Sequence, residues 1–141
     1  MAAFVDTNVL IYAFAAEADD ANEKVLLARR LLVGLRKESA LVVSAQVLGE
    51  FATNAVRKGN PPLTLDQATA IVGELAGNSV VAIDDSLVLL ALQRVQKSRI
   101  SYWDALIVEA AIRGGASILY TEDLHSGTVY DTVEVRNPFQ R

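Results

Sequence analysis

Short apolar runs alternate along this chain with longer stretches whose apolar residues recur every three or four positions. The short runs read as buried strands and the longer spacing as amphipathic helix. Ala2–Val5 predicts a first strand, closed by a turn at Asp6 and followed by a helix from about Asn8 to Phe14. Residues 15–21 read as a loop. From Asn22 to Lys37, apolar residues such as Val25, Ala28, Leu31, Leu32 and Leu35 keep helical spacing with basic residues between them. Leu41–Val43 predicts a second strand. Ser44 then caps a helix to about Arg57, with Lys58-Gly59 at its end. After the break at Asn60-Pro61-Pro62, Thr64 and Gln67 form a capping box for a helix to about Ala76. Val80–Ile83 predicts a third buried strand, and Asp84 or Asp85 caps a helix to about Lys97. Ser101 caps one more helix, ending at Gly114-Gly115, before a fourth strand at Ser117–Tyr120 and a fifth at Thr132–Arg136.

Strands alternating with helices predict an α/β fold, a three-layer α/β/α sandwich around a mostly parallel sheet. With no repeat and no linker, residues 1–141 read as a single domain. Sites in such sheets form beyond the carboxyl ends of strands, where Asp6 and Asp123 both fall.

Four acids stand inside apolar stretches: Asp6 in AFVDTN, Glu50 in VLGEFA, Asp104 in YWDALIVEAA and Asp123 in ILYTED. Carboxylates near buried surface repel one another and resist desolvation, and a divalent cation relieves both effects. Each acid also has an ordinary use alone: Asp6 as a turn or cap residue, Glu50 as a solvated helix flank, Asp123 as a loop residue. Asp104 is the most informative. At 100° per residue, Val108 lies about 40° from it and Ala111 about 20° to the other side. Glu109 and Arg113, expected to face solvent, lie roughly 140° and 180° away. Asp104 thus points with the apolar face of its helix, beyond what capping requires.

Other polar residues divide between structure and chemistry. Asn8 could orient Asp6 or only tolerate the turn, and Thr121 could support a carboxylate or only end its strand. Glu122 reads as surface. Asp84 and Asp85 are explained by capping. Tyr102 and Trp103 could stack on a base, although packing at a helix start is the commoner use. Arg94, Lys97 and Arg99 could hold phosphates, but they also sit where cations stabilise a helix C-terminus. The structural use is preferred for Arg94, and both stay open for Arg99.

Composition narrows the chemistry. Hydrophobic residues are 52% of the chain and charged residues 21%, which argues against disorder. Cysteine is absent, which excludes disulfides and thiolate zinc sites and suits a reducing cytosol. The single histidine, His125, leaves neither a zinc set nor a Ser-His-acid set. The longest uncharged stretch, Ser39–Gly49, is too short for a membrane span of ~20 residues, and no signal peptide is expected. Net charge is −4, an awkward sign for a nucleic-acid binder. Setting the four acids aside leaves 13 acidic and 13 basic residues, so bound divalent cations would cancel the excess.

Taken together, the segments resemble the PIN-domain ribonucleases, above all the toxins of VapBC-type toxin–antitoxin pairs. The residues that carry the resemblance are Val5-Asp6-Thr7-Asn8-Val9-Leu10, Val47-Leu48-Gly49-Glu50-Phe51, Ser101-Tyr102-Trp103-Asp104-Ala105, Tyr120-Thr121-Glu122-Asp123-Leu124 and Val135-Arg136-Asn137-Pro138-Phe139. The resemblance spans nearly the whole chain in order and implies a PIN-like fold. It implies catalytic Asp6, Glu50, Asp104 and Asp123, with Asp6, Asp104 and Asp123 holding Mg²⁺ or Mn²⁺ and Asn8 and Thr121 in support. It further implies hydrolysis of structured RNA to a 5′-phosphate and a 3′-hydroxyl, a cognate antitoxin partner, a homodimer and a cytoplasmic setting. Two rivals remain at this stage: a phosphoaspartyl protein, and a non-catalytic RNA- or protein-binding PIN domain. The first wants a lysine late in the sheet, and none follows Lys97.

Overall fold

Three apolar strands with the same direction and adjacent registers organise the chain, and a computed structural model describes them within residues 1–16 and 23–140. β1 (Ala3–Val5), β2 (Leu41–Ser44) and β4 (Ile118–Tyr120) are almost entirely buried, as strands covered on both faces must be. β1 pairs parallel with both β2 and β4, placing Phe4 beside Val42 on one side and Leu119 on the other. β3 (Ser79–Val81) extends the sheet beyond β2, and β6 (Val133–Arg136) extends it beyond β4. A two-residue β5 (Val129–Tyr130) closes that edge antiparallel to β6. The order β3-β2-β1-β4-β6-β5 gives the mostly parallel sheet that the alternation of elements predicts.

Helices cover both faces. α1 (Thr7–Phe14) packs on α2 (Glu23–Lys37) and α3 (Ala45–Lys58), and α3 packs on α4 (Leu65–Leu75). α5 (Asp85–Ser98) packs on α6 (Tyr102–Arg113), and α6 also touches β2, β4 and β6. The core between the layers includes Phe4, Leu10, Val43, Phe51, Leu119 and Val135, all fully or almost fully buried. Each such side chain stabilises the fold by about 1.5–3 kcal/mol through removal from water. The expected caps form: the Ser44, Ser101 and Asp84 side chains accept backbone N–H bonds, and Thr64 and Gln67 complete their reciprocal box.

Some expectations change. The loop at 15–21 and the helix start at Asn22 fall largely at 17–22, outside the described residues. The third strand is not buried: Ser79 and Val80 are exposed, because β3 is an edge strand. β5 has no sequence signal, since two residues cannot show a period. The largest change concerns α6, which has no wet face over most of its length, residues 105–111 all being buried. Glu109, expected in solvent, lies against Arg94 of α5 (Nη2 to Oε2, 3.5 Å). Arg94 is itself buried and reaches Asp131 in the β5–β6 turn at 2.9 Å. Arg94 therefore has the structural role preferred for it. Arg99 is the left-handed C-cap of α5 and exposed.

A buried charge that loses its partner is strongly destabilising. Arg94→Met is expected to lower unfolding free energy by about 3–5 kcal/mol in denaturant titrations, because Glu109 is left uncompensated. Adding Glu109→Leu should recover most of that loss; an additive double variant would show that the two charges do not interact.

Candidate functional site

The strand order turns around between β1 and β4: the chain lays β2 and β3 to one side of β1, then crosses to place β4 on the other. Such a switch point opens a crevice at the carboxyl ends of the two strands. Asp6 follows β1 there and caps α1, and Thr121 and Asp123 follow β4. Asp6 N–H donates to the Tyr120 carbonyl at 3.0 Å, carrying the β1–β4 pairing one step past the strand ends.

Asp6 is buried, and its two oxygens are held separately. Oδ1 accepts from the Thr7 N–H at 2.7 Å, and Oδ2 accepts from the Thr121 hydroxyl at 2.8 Å. Thr121 is fully buried and central to the network, accepting from Asn8 Nδ2 at 3.2 Å and from the Asp123 N–H at 3.1 Å. Asn8 Nδ2 also donates to Asp123 Oδ2 at 3.0 Å. Asn8 thus orients Asp123 and Thr121, and reaches Asp6 only through Thr121. On the other side, the Thr7 hydroxyl donates to Glu50 Oε2 at 3.3 Å, tying α3 to the same cluster.

Asp6, Thr7, Asn8, Glu50, Asn54 and Asp123 line one cleft of about 380 Å³, together with Tyr12, Lys58 and Glu122. Asp104 does not line it. It is tied to the cleft through Gln46, which donates to Glu50 Oε1 at 2.7 Å and to the Trp103 carbonyl, on the peptide entering Asp104, at 3.4 Å. The Asp104 N–H is capped by Ser101 at 3.1 Å. A larger cleft of about 830 Å³ is lined by Ala13, Phe14, Arg29, Leu32, Val33 and Arg36 among others, but holds none of the four acids.

Thr7 and Gln46 have no prominent signal in the sequence. Their positions hint at a role: Thr7 adjoins Asp6, and Gln46 is one helical turn before Glu50. Glu122, read as surface, is half-buried and paired with Lys24 at 3.0 Å. That ammonium also bonds the Tyr12 hydroxyl and sits over the Tyr12 and Phe139 rings at 5.2 and 5.4 Å. The Glu122 hydrogen bond, then that to Tyr12, raises the Lys24 pKa. His125 is exposed.

Burial raises the Asp6 pKa from 3.8 to about 6. The Thr7 and Thr121 hydrogen bonds oppose the shift, and the charges of Asp123 and Glu50 add to it. No cationic side chain among the described residues pairs with Asp6. Two amide oxygens, Asn8 Oδ1 and Gln46 Oε1, are buried without a hydrogen-bond donor. Carboxylate and amide oxygens are hard donors, and a repelling set of them with orphaned acceptors fits Mg²⁺ or Mn²⁺ rather than a softer metal. Among the described residues, no three acidic or histidine side chains are gathered closely enough to hold an ion as they stand. Each Asp6 oxygen accepts one hydrogen bond, from Thr7 or Thr121, and keeps a further lone pair that an ion could use.

A family model for the PIN domain matches residues 3–127, and the chain belongs to this family. The fold is shared by solved structures of low identity. A toxin–antitoxin complex from Klebsiella pneumoniae has TM-score 0.70 and 17% identity, covering 99% of this chain and 100% of that one. VapC20 of Mycobacterium tuberculosis, a sarcin-ricin-loop-cleaving toxin, has TM-score 0.63 and 20% identity, covering 86% and 92%. VapBC2 of Rickettsia felis, bound to a DNA fragment from its promoter, has TM-score 0.63 and 17% identity, covering 97% and 98%. No match was found among curated proteins.

The raised pKa has a stability consequence. Folded Asp6 holds its proton more tightly than unfolded Asp6, so its ionisation destabilises the fold progressively from about pH 4 and fully above about pH 6. Without metal, Asp6→Asn is expected to raise unfolding free energy by up to about 3 kcal/mol at pH 7.5. The gain should fade by pH 4 in thermal melts. A gain independent of pH would remove carboxylate desolvation as its cause.

Proposed function

We propose that this PIN domain is a metal-dependent endoribonuclease, the toxin of a toxin–antitoxin pair. The observation that carries the proposal is the buried Asp6 carboxylate, near the charges of Glu50 and Asp123 at the switch point and paired with no cationic side chain among the described residues. The family membership and the toxin fold of the structural neighbours support the same reading. Asp6, Asp104 and Asp123 would hold Mg²⁺ or Mn²⁺. Such an ion, when bound, supplies Lewis acidity toward water and a phosphate oxygen.

The chain's own residues perform the remaining work. Thr121 and the Thr7 N–H set the direction of the Asp6 oxygens, and Asn8 sets that of Asp123. Glu50, held between Thr7 and Gln46, faces the cleft with a free lone pair on each oxygen and is the candidate to orient the attacking water and accept its proton. The positively polarised N-terminus of α1 opens at the cleft and favours an anionic phosphate there. The 2′-hydroxyl of RNA is not needed as nucleophile, so hydrolysis leaves a 5′-phosphate and a 3′-hydroxyl. The domain extent of 1–141, structured RNA as substrate, the antitoxin partner, the homodimer and the cytoplasmic setting belong to the same proposal and rest on the resemblance.

Cleavage of structured RNA by the purified protein is expected to stop in EDTA and to return with Mg²⁺ or Mn²⁺. Asp6→Asn, Asp104→Asn and Asp123→Asn should each lower the rate by more than about 100-fold, and Thr121→Val by about 10–100-fold through its hold on Asp6. Activity that persists after chelation would defeat the metal reading. Expression of the wild type should arrest growth and expression of Asp6→Asn should not; equal toxicity would defeat the catalytic one.

A further inference from the structure

We propose that Gln46 is a positioning residue for the RNA-cleaving reaction: its amide holds the Glu50 carboxylate and the peptide entering Asp104 in a fixed relation across the junction of α3 and α6. The inference rests on the ribonuclease reading and adds to it a residue that acts from outside the lining of the acid cleft.

Gln46 has a fixed base. It is the second residue of α3, just beyond the fully buried Ser44 that ends β2 and whose hydroxyl accepts the Val47 N–H at 3.3 Å. From there Nε2 donates to Glu50 Oε1 at 2.7 Å, while the Thr7 hydroxyl donates to Oε2 at 3.3 Å. One oxygen of Glu50 is thus held from its own helix and the other from α1. The same Nε2 donates to the Trp103 carbonyl at 3.4 Å. The N–H of that peptide, on Asp104, donates to the Ser101 hydroxyl at 3.1 Å. Both polar groups of the Trp103–Asp104 peptide are therefore held by side chains, one of them from another helix. A single amide sets Glu50 directly and sets Asp104 through its backbone.

A glutamine one turn before a glutamate is ordinary on a helix surface and contributes little there. Two observations set this one apart. An amide nitrogen carries two hydrogens, and Gln46 has an acceptor for each, one on α3 and one on α6. Its carbonyl oxygen, by contrast, is buried without a donor. Turning the amide over would set that oxygen against Glu50 Oε1 and the Trp103 carbonyl, which are both acceptors. The orientation is forced, and a buried unpaired carbonyl is its destabilising consequence. An apolar side chain of the same length would spare the fold that oxygen but would leave Glu50 Oε1 free to turn. The choice of glutamine therefore serves the acids rather than the core.

The test uses the full chain, Mg²⁺ and an RNA hairpin as probe, with kcat and KM read from initial cleavage rates and the fold followed by thermal melts. Gln46→Met keeps the length and removes donor and acceptor together. It is expected to lower kcat by about 10–100-fold with KM unchanged and a melting temperature close to that of the wild type. Gln46→Glu keeps the size but replaces the donor by an acceptor, and should lower kcat at least as far. In a Glu50→Ala background most of the loss caused by Gln46→Met should disappear, because the group it orients is gone. An unchanged kcat in both Gln46 variants would overturn the positioning role and leave the ribonuclease reading intact. An equal loss in the two backgrounds, or a loss that follows a lowered melting temperature, would make Gln46 a support of the fold and overturn the role as well. No cleavage by the folded wild type in Mg²⁺ or Mn²⁺ would defeat the ribonuclease reading and this inference with it.

Discussion

The carboxyl edge of this protein depends on holding a desolvated carboxylate at the junction of two parallel strands. Asp6 lies one residue past β1, where its N–H continues the pairing with β4 and its side chain caps α1. The carboxylate cannot leave the protein interior without disturbing the ladder or the helix start. It is held by one backbone N–H and one hydroxyl, donors that orient it but do not neutralise it. That combination keeps an acid available for ionisation near neutral pH while fixing where its oxygens stand.

Buried charge is handled in opposite ways at two places. Between α5, α6 and the β5–β6 turn, Arg94 meets Glu109 and Asp131, so the chain neutralises its own ions. At the switch point, burial and then the charges of Asp123 and Glu50 raise the cost of ionising Asp6, and orphaned oxygens of Asn8 and Gln46 lie in the same network. The first arrangement is complete without a ligand and serves the fold. The second has no such cationic partner among the described residues, which is the ground of the proposed metal site. Buried charge alone does not distinguish structure from function; the presence or absence of a partner within the chain does.

The loop after β4 is held from both sides. Thr121 and Asn8 anchor Asp123 toward the cleft, while Lys24 of α2 anchors the adjacent Glu122 and packs over Tyr12 and Phe139. A short exposed loop is thereby given a defined position by an ion pair, ring contacts and a buried hydroxyl. The acid it carries is positioned by residues from the beginning and the end of the chain.

Local patterns sufficed for the α/β alternation, the caps at Ser44, Thr64, Asp84 and Ser101, and the placement of Asp6 and Asp123 past strand ends, because period, cap chemistry and strand termini are properties of a few neighbouring residues. They did not suffice for Glu109, whose helical angle relative to Asp104 suggested solvent. A helical wheel ranks directions within one helix and is blind to a second helix laid across the supposed wet side. β5, the exposure of β3, and the linking roles of Thr7 and Gln46 were hidden for the same reason: each is defined by a partner far away in sequence. Only the packed sheet, with its order reversed between β1 and β4, decided which acids share a cleft, that Asp104 stands at its margin, and that Trp103 remains in solvent. Those are distances between elements, and no local pattern encodes them.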